Sequence, residues 1–167
     1  MNPVLIFMGV SGSGKTTVAK LFAEKTGAVF YEGDDFHPAE NIEKMRTGIS
    51  LTDEDRAPWL QALRKIIVQA LANGELTAVT CSALKSKYRA QLQGNDPGVK
   101  FVYLTCPPAL IAQRLIQRRV HFMPPSLLAS QLAALEPPAD TLAFSCEKSP
   151  EEIVTALIQA LGIAGRD

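Results

Sequence analysis

The segment Gly9-Val10-Ser11-Gly12-Ser13-Gly14-Lys15-Thr16 follows directly on the apolar run Val4-Leu5-Ile6-Phe7-Met8. A buried strand, a glycine-rich turn and a helix start form the setting in which G-x-x-x-x-G-K-[ST] makes a phosphate-binding loop. Its three glycines let the backbone take positive φ and turn successive N–H groups into one concavity. The following helix adds the positive end of its dipole. Lys15 supplies a mobile cation for the outer phosphates, and the Thr16 hydroxyl is placed for Mg²⁺. The candidate nucleotide contacts are therefore Gly9, Val10, Ser11, Gly12, Ser13, Gly14, Lys15, Thr16 and Thr17. The competing reading, a glycine-rich turn without a ligand, does not account for the strand before it.

The rest of the chain agrees with a strand–helix alternation. Short apolar runs at Val4–Met8, Ala28–Tyr31, Ala78–Ser82, Val99–Leu104 and Thr141–Phe144 lack a polar/apolar alternation, as parallel strands covered on both faces do. Helical patterns lie between them at Thr17–Thr26, Pro58–Leu71, Pro107–Arg119, Ser126–Leu135 and Glu151–Leu161. The expectation is a three-layer α/β/α fold around a five-stranded parallel sheet, with right-handed crossovers. With 167 residues and 47% hydrophobic content the chain suits one domain spanning 1–167. Pro58 is read as the first residue of its helix, or Thr52 as the cap of a short preceding turn. Two stretches, 32–58 and 117–140, exceed plain connectors and read as a substrate-binding excursion and a lid.

Formal net charge is zero, which excludes bulk nucleic-acid binding and leaves any phosphate recognition local. Cys81, Cys106 and Cys146 are odd in number and widely spaced, so neither a disulfide framework nor a zinc site is expected. No apolar run is long enough to span a membrane and no cleavable-signal pattern is present, so a reducing cytoplasm is the expected setting.

In open parallel sheets ligands bind beyond the carboxyl ends of the strands. Glu32-Gly33-Asp34-Asp35-Phe36-His37-Pro38 follows the second strand. Asp34 is the candidate that faces the acceptor hydroxyl, as base or through metal-bound water; the alternative is an Asp capping a turn. His37 is either a donor to substrate or a structural residue. Arg56, in Asp53-Glu54-Asp55-Arg56, either clamps an anion or belongs to a wet charged helix start. Lys85 and Arg89, one helical turn apart after the third strand, offer a cationic wall. No Asp ends that strand, so metal binding falls to Thr16 with Asp34. Arg114, Arg118 and Arg119 enter the second excursion, and Arg118 is the candidate that closes on the triphosphate.

Several segments beyond the phosphate loop resemble gluconate kinases, small phosphate-loop kinases shaped like shikimate and nucleoside-monophosphate kinases. They are Gly33-Asp34 with His37-Pro38, Asn41-Ile42-Glu43-Lys44-Met45, Leu51-Thr52-Asp53-Glu54-Asp55-Arg56 running into Pro58-Trp59-Leu60, Cys81-Ser82-Ala83-Leu84-Lys85 with Tyr88-Arg89, Arg118 with His121-Phe122, and Gln131 with Leu135-Glu136-Pro137. The resemblance implies transfer of the ATP γ-phosphoryl group to the 6-hydroxyl of D-gluconate with Mg²⁺, by a cytoplasmic homodimer. It implies that Lys15, Asp34 and Arg118 are catalytic, and that Asp34, His37, Arg56, Lys85 and Arg89 hold the sugar acid. Ser50 stands where such proteins often carry Pro, and Met123-Pro124-Pro125 is a lid variant. The competing expectations are the same fold with another acceptor, such as shikimate or a nucleoside monophosphate, and a nucleotide-binding module without turnover.

Overall fold

The computed structural model describes residues 1–117 and 124–166. The elements run β1 (Val4–Met8), α1 (Lys15–Thr26), β2 (Val29–Tyr31), a 3₁₀ turn (Gly33–Phe36), α2 (Ala39–Arg46) and α3 (Asp53–Asn73). They continue with β3 (Thr77–Thr80), α4 (Ser86–Gln93), β4 (Val99–Thr105), α5 (Pro108–Gln117), a 3₁₀ turn (Pro125–Leu127), α6 (Leu128–Ala134), β5 (Leu142–Ser145) and α7 (Pro150–Leu161). All strand pairs are parallel, in the order β2-β3-β1-β4-β5. The expected five-stranded α/β/α architecture is the one observed.

The alternation of β1 across the sheet builds two cores. Val4, Ile6 and Met8 face Trp59, Leu60, Leu63 and Ile67 of α3 and Tyr88 and Leu92 of α4. Leu5 and Phe7 face Val18, Ala19 and Phe22 of α1 and Ile153, Val154 and Leu157 of α7. Every β1 side chain is fully buried, which is why its sequence shows no polar alternation. A smaller cluster, Met45, Leu51 and Leu127, joins the first excursion to the second.

The helix expected from Pro58 starts five residues earlier, and Pro58 lies inside it. Thr52 and Asp55 form a capping box: the Thr52 hydroxyl accepts from the Asp55 N–H, and the Asp55 carboxylate accepts from the Thr52 N–H. Interior proline costs about 3 kcal/mol. Burying Trp59, Leu60, Leu63 and Ile67 returns roughly 1.5–3 kcal/mol each, so packing outweighs the break. Two helices, α2 and α4, were not delimited by periodicity; each has eight residues, too short for a clear repeat.

The three cysteines divide differently from expectation. Cys106 and Cys146 form a disulfide, with Cα atoms 5.2 Å apart, while Cys81 is buried and free. The parallel register is the cause. Thr105 pairs with Ser145, so the next residue of each strand lands beside the other despite 40 residues of separation.

If the capping box starts α3, Thr52→Ala lowers stability by about 1 kcal/mol. Pro58→Ala does not lower it. Urea denaturation of the two variants checks both outcomes.

Candidate functional site

The carboxyl ends of β1, β2 and β3 converge on the phosphate loop. A Cβ at Gly33 would lie 1.8 Å from the Thr80 carbonyl oxygen, so β2 and β3 approach at a distance that only glycine permits. The Gly33 N–H donates to the Thr80 hydroxyl at 2.9 Å, and that hydroxyl donates to Glu32. The other Glu32 oxygen accepts from the Thr16 hydroxyl at 2.6 Å. Glu32 therefore sits beside the phosphate-loop threonine, in the neighbourhood where an acid ending β3 was missed. Sequence reasoning passed over it in favour of Asp34. Its place immediately after β2, two residues before Asp34, was the available signal.

The loop itself is held open as a cradle. The Gly9 N–H donates to the Ser82 carbonyl, and the Ser13 N–H to the Val10 carbonyl. The Lys15 ammonium donates to the carbonyls of Gly9 and Val10 at 2.9 and 3.0 Å. The Ser11 N–H donates to the Gln131 side-chain oxygen of α6 at 2.8 Å, so one loop amide already holds an acceptor oxygen. Among the described residues the buried Ser13 hydroxyl has no hydrogen-bond partner, an orphan polar group at the loop.

Two clefts meet at Gly12 and Gly14. The first is lined by Ser11, Lys15, Thr16, Glu32, Asp34, His37, Met45, Leu51, Arg56, Trp59, Ser82 and Gln131. The second runs over the start of α1 and is lined by Ser13, Thr17, Val18, Arg114, Gln117, Cys146, Lys148, Pro150 and Ile153. A ligand with phosphates on the loop has room for its base in the second cleft and for an acceptor in the first.

The first cleft brings Lys15, Thr16, Asp34, His37 and Arg56 together, as the residue pattern suggested. His37 stacks on Trp59 with ring centroids 4.0 Å apart. The Trp59 indole N–H donates to the Gly33 carbonyl at 2.7 Å, locking the stack to the β2 end. Burial, helped by the Arg56 charge, lowers the His37 pKa from 6.5 to about 4, so the ring is neutral near pH 7. The Asn41 amide lies 3.3 Å from Nδ1 and can only donate, which leaves the ring proton on Nε2. Arg56 donates to the Leu51 carbonyl and the Tyr88 hydroxyl at 2.9 and 3.0 Å. These bonds hold its guanidinium at the cleft wall.

Lys85 and Arg89 depart from expectation, since neither lines the cleft. The Lys85 ammonium is drawn to Asp53 at 3.2 Å, and Asp53 also accepts from Lys87 and the Tyr88 hydroxyl. These partners, Lys87 foremost, hold the Asp53 carboxyl well below the usual carboxylate range. Arg89 is spent on the carbonyls of Ala83, Leu84 and Glu136. Lys85 thus shares Asp53 with the Tyr88 hydroxyl that Arg56 donates to, whereas Arg89 ties the segment after β3 to Glu136. Asp35 is exposed, and Arg114 lines the second cleft. Arg118, Arg119, His121, Phe122 and Met123 lie outside the described residues. Among the described residues no group of three or more His, Cys, Asp or Glu could cage a metal.

Comparison with known proteins places this geometry. An AAA-domain family model matches residues 4–138. The chain is 48% identical to a gluconokinase of Gluconobacter oxydans, over 93% of this chain and 89% of that one. Its fold superposes on a sugar kinase from Janibacter, solved without ligand, with a TM-score of 0.92 and 43% identity, covering 98% of this chain and 96% of that one. A gluconokinase from Sinorhizobium meliloti gives a TM-score of 0.84 at 43% identity, covering 96% and 91%. The phosphate loop alone would fit many nucleotide-binding proteins, but similarity that runs through both excursions and the acceptor-side cleft is narrower: the chain belongs to the gluconokinase family of phosphate-loop kinases.

Proposed function

We propose that the protein transfers the γ-phosphoryl group of ATP to the 6-hydroxyl of D-gluconate, giving 6-phospho-D-gluconate and ADP. The observation that carries the reading is the first cleft, where an acid, a neutral imidazole and a guanidinium stand across from the phosphate loop. Phosphoryl transfer needs little covalent help, so positioning and charge stabilisation do most of the work. Lys15 leaves the Gly9 and Val10 carbonyls for the outer phosphates and follows the charge as it moves to the leaving oxygen. Asp34 orients the acceptor hydroxyl and receives its proton. Arg56 binds the sugar-acid carboxylate, and the His37 Nε2–H donates to a sugar oxygen. Arg118 is assigned to the triphosphate on the lid side. Lys85 serves the acceptor indirectly, through the Asp53–Tyr88 pair beside Arg56, and Arg89 by fixing the segment after β3 that carries Ser82 and Lys85.

The oxygen-only set of the Thr16 hydroxyl, Glu32 and Asp34 fits a hard divalent cation such as Mg²⁺, which takes few protein ligands and shares phosphate oxygens. When bound, the ion would neutralise phosphate charge. The resemblance to gluconate kinases further supports a cytoplasmic homodimer working as a single domain over residues 1–167, with 32–58 closing on the acceptor and 117–140 on the nucleotide. The disulfide at Cys106 and Cys146 would then face a reducing pool.

A coupled assay of ADP release tests the reading: turnover with ATP requires gluconate and is not supported by shikimate or a nucleoside monophosphate. Lys15→Ala lowers kcat by about a hundredfold to a thousandfold with the fold intact. Asp34→Asn lowers kcat by about a hundredfold or more and leaves ATP affinity nearly unchanged; a loss confined to ATP binding would move Asp34 to the nucleotide side.

His37 gives a pH test. The unfolded ring binds its proton at about 6.5 and the folded ring at about 4, so the unfolded chain holds more protons between those values. Stability therefore rises with pH across that window, by as much as about 3 kcal/mol, and is level above it. Denaturation midpoints at pH 4.5 and 7.5 read the slope, which His37→Gln flattens.

A further inference from the structure

Beside the second cleft, which Cys146 lines, lies a pair of groups that phosphoryl transfer does not use. Cys106 follows β4 and Cys146 follows β5, and their bridge closes a ring that holds α5 and α6. Arg114 of α5 lies between this bridge and the phosphate loop. One of its nitrogens is 4.0 Å from the Cys106 sulfur and donates to the Gly12 carbonyl at 3.3 Å. The other donates to the Cys146 carbonyl at 3.0 Å. Arg114 is thus tied at once to the loop that cradles phosphate and to both halves of the disulfide.

The two sulfurs differ in access. Cys106 is half-buried and precedes the first turn of α5, so a helix N-terminus and a guanidinium both favour its thiolate. Cys146 is 4% exposed. Cys81 lies apart from the pair, and burial pushes its thiol up to about 12, leaving it inert.

We infer that Cys106 and Cys146 are a reversible dithiol–disulfide switch of nucleotide affinity, the oxidised form being the one that fixes Arg114 against the phosphate loop. The oxidant is a low-molecular-weight disulfide. The Cys106 thiolate attacks one of its sulfurs, forming a mixed disulfide and expelling one small thiolate, which takes a proton. The Cys146 thiolate then attacks the Cys106 sulfur from inside, forming the protein bridge and expelling the second small thiolate, which is also protonated. Two protein thiols are oxidised and one small disulfide is reduced to two thiols. Reduction reverses the sequence and removes the covalent tie to β4 from the turn whose Cys146 carbonyl anchors Arg114, leaving the Cys146 N–H bond to the Thr105 carbonyl.

The inference rests on the kinase reading for the identity of the nucleotide, and its test does not need turnover. The full chain is equilibrated in oxidised or in reduced glutathione, alkylated under denaturing conditions for mass counting, and titrated with ATP by calorimetry without acceptor. The expected count is one label in the oxidised protein and three in the reduced protein, since the chain has three cysteines. ATP binds about tenfold more weakly to the reduced form, the worth of one charge-assisted hydrogen bond. Cys106→Ser and Cys146→Ser both bind like the reduced protein in either buffer, while Cys81→Ser keeps the response. A bridge that stays closed in reduced glutathione is a structural crosslink and overturns the switch. Thiols that stay open in oxidised glutathione, or equal ATP affinity in the two forms, overturn it as well. ATP binding that responds to redox without gluconate turnover would overturn the kinase reading alone.

Discussion

The contact between the ends of β2 and β3 sets the position of nearly every chemical group in the site. Gly33 is there because no Cβ fits against the Thr80 carbonyl. That approach brings the Thr80 hydroxyl to the Gly33 N–H and to Glu32, and Glu32 reaches Thr16 on the phosphate loop. A single hydroxyl thus links two strand ends to the loop. The Gly33 carbonyl extends the chain of contacts outward through the Trp59 indole to the His37 ring. The Thr16–Glu32 pair and the His37–Trp59 stack share one anchor, so their spacing is a property of the sheet and not of the loops.

The charge arrangement follows the same economy. The chain is neutral as a whole, yet Arg56 lines the cleft, while Lys85 and Arg89 stand outside its lining. Lys85 is matched by Asp53, which also takes Lys87 and Tyr88, and Arg89 by backbone carbonyls. Arg56 is held by neutral partners, the Leu51 carbonyl and the Tyr88 hydroxyl, and keeps its full charge for the cleft. A site for an anionic sugar acid can in this way exist on a protein with no net field to attract polyanions.

The sheet and its strands were legible because parallel strands buried on both faces leave continuous apolar runs, and β1 is one. The phosphate loop was legible because its glycines and lysine are required by local geometry. Pro58 misled, since a favourable capping box at Thr52 and a buried indole override a local breaker. The partners of Lys85 and Arg89 were not legible, because a cation beside a strand end says nothing of whether an acid or a carbonyl will reach it first. Glu32 and the Cys106–Cys146 bridge depend on register between strands far apart in sequence, a long-range property that spacing along the chain does not encode.

The two clefts have in common only the loop glycines Gly12 and Gly14 among the residues that line them. Apart from the loop and α1, the first cleft takes its lining from residues 32–59, Ser82 and Gln131, and the second from α5, the turn before α7 and α7 itself. A substitution outside the shared glycines therefore changes the lining of one cleft and not of the other. This separation leaves the scaffold open to divergence: beyond Glu32 and Asp34, the first excursion can be rewritten without altering the lining of the second cleft.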